Sequence, residues 1–377
     1  MSQTDPQPTP RPDETPERPI REIRINPIVP AESVLVATAR SMRPRKAEEP
    51  APRDTRRHVP TCPFCRGNED KTPPMLDRYP PEGPGESGSD WDIRIVENLF
   101  PVLGDESSSP NLTFGLQQAI DGYGRHEVII DHPAHGIAVF EMDESHLATL
   151  FRAYRERMRT LYERDERMKY VLVFKNFGPA AGASMPHTHS QIIATPVVPQ
   201  NVHDEVENSR AFYATHHQCI FCTLIDEALT FEATIYNRES GEVRRRIDVG
   251  QYVVERGEKF IAIKPFASRF EWEVHILPLH HQADFLDSPD EDLADLARVF
   301  RRTMARLDAV LGGAQYNYFL HSLPHSSSFD DCQPSYHWHL EICPRTSIPT
   351  GFELGSGLFV NTISPEAAAA RLREAEI

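Results

Sequence analysis

Residues 182–191 read Gly182-Ala-Ser184-Met-Pro-His187-Thr-His189-Ser-Gln191, and a second His-x-His returns 150 residues later in Tyr336-His337-Trp-His339-Leu-Glu341-Ile342. The two imidazoles of the first pair are read as serving opposite sides of a strand. One would be held by a metal or the core while the other faces a cleft. The glycine and small residues ahead of them let a backbone come close to something bulky. Successive exposed amides in such a turn would bind an anion such as a phosphate. Histidine is also a competent covalent nucleophile. An isolated His-x-His would be read as two satisfied sheet histidines, so what surrounds this one decides.

What surrounds it is an internal repeat. Glu127-Val-Ile-Ile-Asp-His-Pro-Ala-His135 lies over Glu273-Val-His-Ile-Leu-Pro-Leu-His-His281. Each is followed by an amphipathic helical stretch, from about Asp143 to Met168 and from about Ser288 to Leu311. Leu147, Leu150, Phe151 and Tyr154, and Leu293, Leu296, Val299 and Phe300, recur at helical spacing. A strand follows in each (Tyr170–Phe174, Tyr316–Leu320), then a His-x-His strand. The landmark offsets are 146 residues (135 to 281), 150 (187 to 337) and 157 (62 to 219). The expected fold is therefore α+β, a tandem duplication of one unit in which an antiparallel sheet carries a long helix. Residues 1–20, rich in Pro, Thr, Glu and Arg, have little to bury and read as a disordered tail. The units are set at 21–205 and 206–377, with a junction near 203–217. Residues 80–90 read as a loop.

Four of the six cysteines form two C-x-x-C pairs, Cys62/Cys65 and Cys219/Cys222, while Cys332 and Cys343 stand alone. Such spacing reads as metal binding or redox before structural disulfide. A redox motif should sit between a strand and a helix in a small α/β unit, whereas each pair here precedes a long stretch with histidines in reserve. The repeat then suggests two ligand sets, Cys62, Cys65, His135 and His187, and Cys219, Cys222, His281 and His337. Two thiolates and two imidazoles suit four-coordinate zinc, and a closed shell is structural. A redox couple or buried free thiols remain the alternative. His132 competes with His135 and His280 with His281, the repeat favouring the second of each. The second site is also open to another metal or to degeneracy.

The chain has 377 residues, 39% of them hydrophobic and 25% charged, enough for two cored domains. Its net charge of −16 argues against a nucleic-acid binder but leaves room for a phosphorylated small substrate. No run of about 18 apolar residues marks a membrane span. The N-terminus does not resemble a signal peptide, and a cytoplasmic location is expected.

Together, the C-x-x-C, the later histidine and Gly-x-Ser-x-Pro-His-x-His-x-Gln, with Asn176 upstream, resemble the galactose-1-phosphate uridylyltransferase family. This is the two-domain branch of the histidine-triad superfamily, and the resemblance runs from about Arg21 to the C-terminus. It implies that His189 attacks the α-phosphorus of a nucleotide sugar and becomes nucleotidylated, with ping-pong kinetics. His187 is by this resemblance a zinc ligand. Gln191 would bond a phosphate oxygen, Ser184 and the Gly182 backbone would cradle developing charge, and Asn176 would hold the other imidazole nitrogen or a phosphate. Arg40 and Arg43 resemble the family's arginine pair near the nucleotide, and Asn98 its asparagine at the nucleoside. Gly351-Phe-Glu353-Leu-Gly-Ser-Gly357 resembles the segment that reaches the sugar, with Glu353 facing sugar hydroxyls. A homodimer is implied as well.

There are departures. Phe359 stands where the best-known members carry a glutamine, and Leu99 where they carry an aspartate. The second C-x-x-C is shared with the two-zinc branch that includes ADP-glucose phosphorylase-like proteins. Transfer of UMP between a UDP-sugar and a hexose 1-phosphate is the leading expectation. Adenylyl transfer from ADP-glucose is the alternative within the class. A histidine-triad hydrolase and a zinc-stapled nucleotide-binding scaffold are the more distant ones. His339, followed by Glu341 in place of glutamine, reads as a structural strand histidine, with a metal ligand as its alternative.

Overall fold

A computed structural model describes residues 19–42, 53–80, 90–106 and 111–377. Arg43, most of the expected tail and most of the 80–90 loop lie outside the described residues. Ten strands build one sheet: β1 (Met75–Tyr79), β2 (Ile93–Glu97), β3 (Arg125–Ile130), β4 (Tyr170–Phe177), β5 (His189–Thr195), β6 (Val253–Arg256), β7 (Phe260–Ile263), β8 (Val274–Pro278), β9 (Tyr316–His321) and β10 (His339–Pro344). Their order across the sheet is β1-β2-β3-β5-β4-β9-β10-β8-β7-β6. Read from the centre outward, the two halves mirror each other strand for strand, as a duplicated unit requires. The seam is the antiparallel pair β4–β9, with Asn317 opposite Asn176 and Phe319 opposite Phe174. The sheet passes through it without interruption.

Each half lays one long helix on the same face. Helix α1 (Glu144–Arg164) begins where Asp143 accepts a hydrogen bond from the His146 amide, a side-chain N-cap. Helix α4 (Asp290–Leu311) carries Asp290, Glu291 and Asp292 in its first turn, which suits the positive end of the helix dipole. It stops at Gly312, whose φ of +64° is the left-handed conformation that terminates helices. Leu147, Leu150, Phe151 and Met158 of α1, and Leu293, Leu296, Phe300 and Met304 of α4, are buried in one common core. Each such side chain contributes about 1.5–3 kcal/mol on transfer from water. Phe151 meets Phe300 edge to face at 5.4 Å, so the helices are packed on each other as well as on the sheet. The opposite face is covered by α2 (Gln200–His216) and α3 (Ile220–Thr230), which form a second core with Tyr170, Ile261, Leu277 and Tyr336. The expected junction near 203–217 thus falls largely within α2.

A three-stranded sheet joins the chain ends. Arg21–Arg24 pairs with Val34–Ala37, which in turn pairs in parallel with Phe359–Asn361. One short helix precedes this last strand, α5 (Gly351–Ser356), and another follows it, α6 (Pro365–Glu374).

One expectation about local geometry is corrected here. Residues i and i+2 of a regular strand share a face, so strand alternation cannot send His187 and His189 to different sides. They have different partners because His187 sits in a bend just before β5, which starts at His189, although the Phe64 ring lies near both, at 6.0 and 5.3 Å.

Candidate active site and metal centres

The approach to β5 is a tight turn. Gly178 (φ +86°) opens a short 3₁₀ turn, Pro179–Ala181, and Gly182 (φ +84°) closes it. A Cβ at Gly178 would lie 2.5 Å from Gln315, whereas at Gly182 nothing is within 4 Å, so there only the backbone conformation calls for glycine. The Gly182 amide donates to the Pro179 carbonyl at 3.0 Å, so it is spent within the turn and not offered to a phosphate as expected. Ser184 is exposed.

The bend aims His187 at the C-x-x-C loop. Its Nδ1 lies 3.6 Å from Cys62 Sγ, 3.6 Å from Cys65 Sγ and 3.3 Å from His135 Nδ1, and Cys65 Sγ lies 3.6 Å from His135 Nδ1. A tetrahedral zinc with ordinary Zn–S and Zn–N bonds has S···N edges of about 3.5 Å and an N···N edge of about 3.3 Å. The donor set fits that ion in chemistry and in spacing. His187 donates its Nε2–H to the His132 carbonyl at 2.8 Å, which commits Nδ1 to the cluster. The His135 Nε2 lies 3.3 Å from the Asp54 carboxylate. His132 contributes that carbonyl only, its ring packing on His146.

Cys219, Cys222, His281 and His337 converge in the same way, all their ligand atoms within 4.8 Å of one another. Cys222 Sγ is 3.4 Å from His281 Nδ1 and 3.6 Å from His337 Nδ1. The distal nitrogens again donate to backbone, His281 to Gln333 and His337 to Pro278, both at 2.9 Å. All four residues of the first cluster are buried, whereas Cys222 is half-buried and His281 exposed in the second. His280 stands outside it, 3.5 Å from Asp292.

His189 is buried, with the Phe64 ring 5.3 Å away edge-on. Its Nδ1–H donates to the His187 carbonyl at 2.8 Å, so the lone pair is carried on Nε2. Burial, and after it the Lys175 ammonium, holds its pKa below the usual imidazole value. Beneath it Lys175 is fully buried and donates to Asp131 (2.5 Å), the Thr188 hydroxyl (2.8 Å) and the His189 carbonyl (2.9 Å). The nitrogen expected to be held by Asn176 is thus held by backbone. The Asn176 Oδ1 instead accepts from Asn317 Nδ2 at 2.8 Å.

On the same face, Gln191 Oε1 lies 2.8 Å from His126 Nε2, and Asn98 Nδ2 lies 3.0 Å from that same nitrogen. His126 and Asn317 were missed in the sequence. Asn317 had left a signal, a lone amide inside the apolar run Tyr-Asn-Tyr-Phe-Leu. Arg40 is exposed in a 3₁₀ turn, and the Glu353 carboxylate caps its own helix, accepting from the Thr350 amide (2.8 Å) and hydroxyl (2.6 Å). Among the described residues, no hydrogen bond or ion pair ties either to His189 or Gln191.

In the second half, the place of His189 is taken by His339, which likewise donates Nδ1–H to the carbonyl two residues back, at 3.1 Å from His337. Glu205, His321, His339 and Glu341 bring their ligand atoms within 4.8 Å of one another, buried, and could hold a cation. Glu205, His339 and Glu341 also line a cavity of about 490 Å³ whose other walls include Ile28, Phe221, Tyr252 and Phe266. Nothing in their spacing along the chain announced this group.

The duplicated sheet-and-helix unit, with a His-x-His at each Cys₂His₂ cluster, places the chain in the histidine-triad class. Residues 13–199 match the family described as galactose-1-phosphate uridyl transferase, N-terminal domain. The chain belongs to the galactose-1-phosphate uridylyltransferase family. Among its relatives, an ADP-glucose phosphorylase of Arabidopsis thaliana is 29% identical, with 94% of this chain and 93% of that protein aligned. A galactose-1-phosphate uridylyltransferase of Thermotoga maritima is 27% identical, over 94% and 99% of the two chains. The crystal structure of an A. thaliana ADP-glucose phosphorylase with bound ADP-glucose superposes with a TM-score of 0.77 at 28% identity, covering 95% of this chain and 100% of that one.

Proposed function

We propose that this protein is a hexose-1-phosphate nucleotidylyltransferase that moves UMP between a UDP-sugar and a hexose 1-phosphate through His189. The observation that carries this reading is the one-sided tether of that imidazole. With Nδ1–H given to the His187 carbonyl, Nε2 alone has a lone pair to offer. In the first half-reaction Nε2 forms a bond to the α-phosphorus as the bond from phosphorus to the sugar-phosphate oxygen breaks. Sugar 1-phosphate leaves with the electron pair. The nucleotidyl-imidazolium keeps its Nδ1 proton, and the His187 carbonyl stabilises the charge that develops there. The second hexose 1-phosphate then attacks the same phosphorus and frees the histidine. Gln191 and Asn176 donate to phosphate oxygens, Ser184 borders the phosphates, and Arg40, Arg43 and Asn98 take the nucleotide. Glu353 takes the sugar hydroxyls.

Two zinc ions complete the reading. The first, on Cys62, Cys65, His135 and His187, fixes the residue whose carbonyl orients His189; the second, on Cys219, Cys222, His281 and His337, staples the other half. Homodimerisation is supported by exposed apolar side chains, Leu99, Phe100 and Val102 and, on and beside a short hairpin, Leu112, Phe114, Leu116 and Ile120. We place the protein in the cytoplasm, with the units divided near residue 205.

Transfer of AMP from ADP-glucose is the second reading, favoured by the likeness to the A. thaliana ADP-glucose phosphorylase and by the second Cys₂His₂ cluster. Incubation with UDP-glucose and ADP-glucose, each labelled in the α-phosphate, tests both. The uridylyl reading expects an acid-labile adduct on His189 from UDP-glucose that chases into product when galactose 1-phosphate is added. Label from ADP-glucose alone would replace it with the adenylyl reading, and steady hydrolysis without acceptor would replace both.

A further inference from the structure

Gln191 and Asn176 stand on either side of His189 on one face of the sheet. Gln191 follows His189 by two residues along β5, and the register Phe174↔Gln191 brings Asn176 of β4 level with His189. An amide side chain can present either its oxygen or its NH₂ to a ligand, and a phosphate accepts only from the NH₂. We propose that His126 and Asn317 are positioning residues that fix both amides with their NH₂ ends toward the phosphate at His189. Each chain of hydrogen bonds ends on a backbone group whose polarity cannot reverse.

On one side, the Val102 amide donates to His126 Nδ1 at 3.2 Å. That nitrogen therefore carries no proton, Nε2 carries it, and Nε2–H donates to Gln191 Oε1 at 2.8 Å. The Gln191 oxygen is consumed and its NH₂ is left to donate. One contact competes. Asn98 Oδ1 accepts from the Phe100 amide at 2.9 Å, which turns the Asn98 NH₂ toward the same His126 Nε2 at 3.0 Å. Asn98 can rotate away, whereas the Val102 amide cannot, so the tautomer with the proton on Nε2 prevails.

On the other side, the Ala181 carbonyl, in the glycine turn, accepts from Asn317 Nδ2 at 2.9 Å. The Asn317 NH₂ therefore also faces Asn176, and the Asn176 atom that meets it at 2.8 Å is the oxygen. The Asn176 NH₂ is left to donate. Asn317 belongs to β9, so the second half of the repeat orients a donor in the first half's site.

The inference rests on His189 being the nucleophile, and two measurements separate its failure from the failure of that reading. Long-range ¹⁵N–¹H NMR on histidine-labelled protein reports the His126 tautomer with no substrate present. The expected result is a protonated Nε2 that shifts in Gln191→Ala; a protonated Nδ1 overturns the proposal whatever the enzyme does. Single-turnover nucleotidylation by UDP-glucose and ADP-glucose then reads the consequence. Losing one well-placed donor to a developing oxyanion costs about 10²–10³ in rate, and misorienting it should cost about 10- to 100-fold in His126→Leu and in Asn317→Leu. His126→Gln, which can still donate to Gln191, should recover most of the loss. His126→Leu added to Gln191→Ala should slow the reaction no further, since the histidine works only through that amide. Additive losses in this double variant, at unchanged melting temperature, mean that His126 acts otherwise and sink the idea. If the unsubstituted protein forms no adduct from either sugar nucleotide, the proposed function fails, and the NMR result still decides the orientation.

Discussion

The hydroxyls of Tyr154 and Tyr318 lie 2.7 Å apart, a bond that joins helix α1 of the first half to strand β9 of the second. Tyr154 also meets the Ser190 hydroxyl at 2.6 Å, Ser190 donates to Asp131 at 3.0 Å, and Asp131 accepts from Lys175. A continuous buried polar chain thus runs from the seam to the ammonium that holds the His189 carbonyl. Lys175 and Asp131 have no exposed side-chain surface. Removing one charge strands the other, so Lys175→Met should destabilise the protein by about 3–5 kcal/mol. Urea unfolding is the measurement, and Lys175→Met/Asp131→Leu should regain part of the loss. A single substitution that costs under about 1 kcal/mol would show that the pair is not held as described.

His189→Ala should fold and bind zinc as the parent does, yet lose exchange activity on the order of 10⁴-fold or more, as when a covalent nucleophile is removed. No label should remain on the protein after denaturation. Turnover within tenfold of the parent would contradict the proposed route.

Zinc should be present at two ions per chain, and a chelator should remove them in two phases. The cluster with half-buried Cys222 and exposed His281 should empty first, and the buried cluster at His187 only on slower opening of the fold. The first phase should spare nucleotidylation of His189, and the second should abolish it together with thermal stability. Loss of both ions at one rate would refute the distinction.

Arg24 is buried and gives two hydrogen bonds to Glu366, at 2.9 and 3.1 Å, while the Tyr252 hydroxyl adds a third at 2.7 Å. Burial pulls the Glu366 pKa upward, but the bonds from Tyr252 and Arg24 outweigh it and leave it below the usual glutamate value. A depressed carboxylate adds stability that is fully present above its unfolded pKa and is lost as pH falls through its folded one. Glu366→Gln should therefore melt well below the parent at pH 7, by about 2 kcal/mol, which is the strength of a charged hydrogen-bonded contact. The gap should close on acidification below the ordinary carboxylate range. A gap that is constant with pH would assign the loss to packing.

The fold was legible because the duplication wrote its landmarks twice. Leu147 and Leu293, Tyr170 and Tyr316, His187 and His337 each named the other's role, and both Cys₂His₂ sets came from that comparison. What escaped was whatever depends on strand neighbours far apart in the chain. His126 precedes the repeated segment and reaches Gln191 only because β3 pairs with β5. Glu205 sits on a helix and joins His321 and His339 by tertiary packing alone. That His187 and His189 have separate partners was expected from strand alternation, whereas a bend just before His189, invisible to period-two reasoning, is what allows it.

The seam between β4 and β9 also bears on how the chain survives its own synthesis. Each half ends, at that line, in a row of backbone donors and acceptors, and among the described residues each row is covered by the other. A first half released alone, as by cleavage after residue 205, would carry an adhesive edge flanked by Val171 and Val173. Duplication here made two units that are each other's protection against clumping, so neither half is free to be lost while the other is kept.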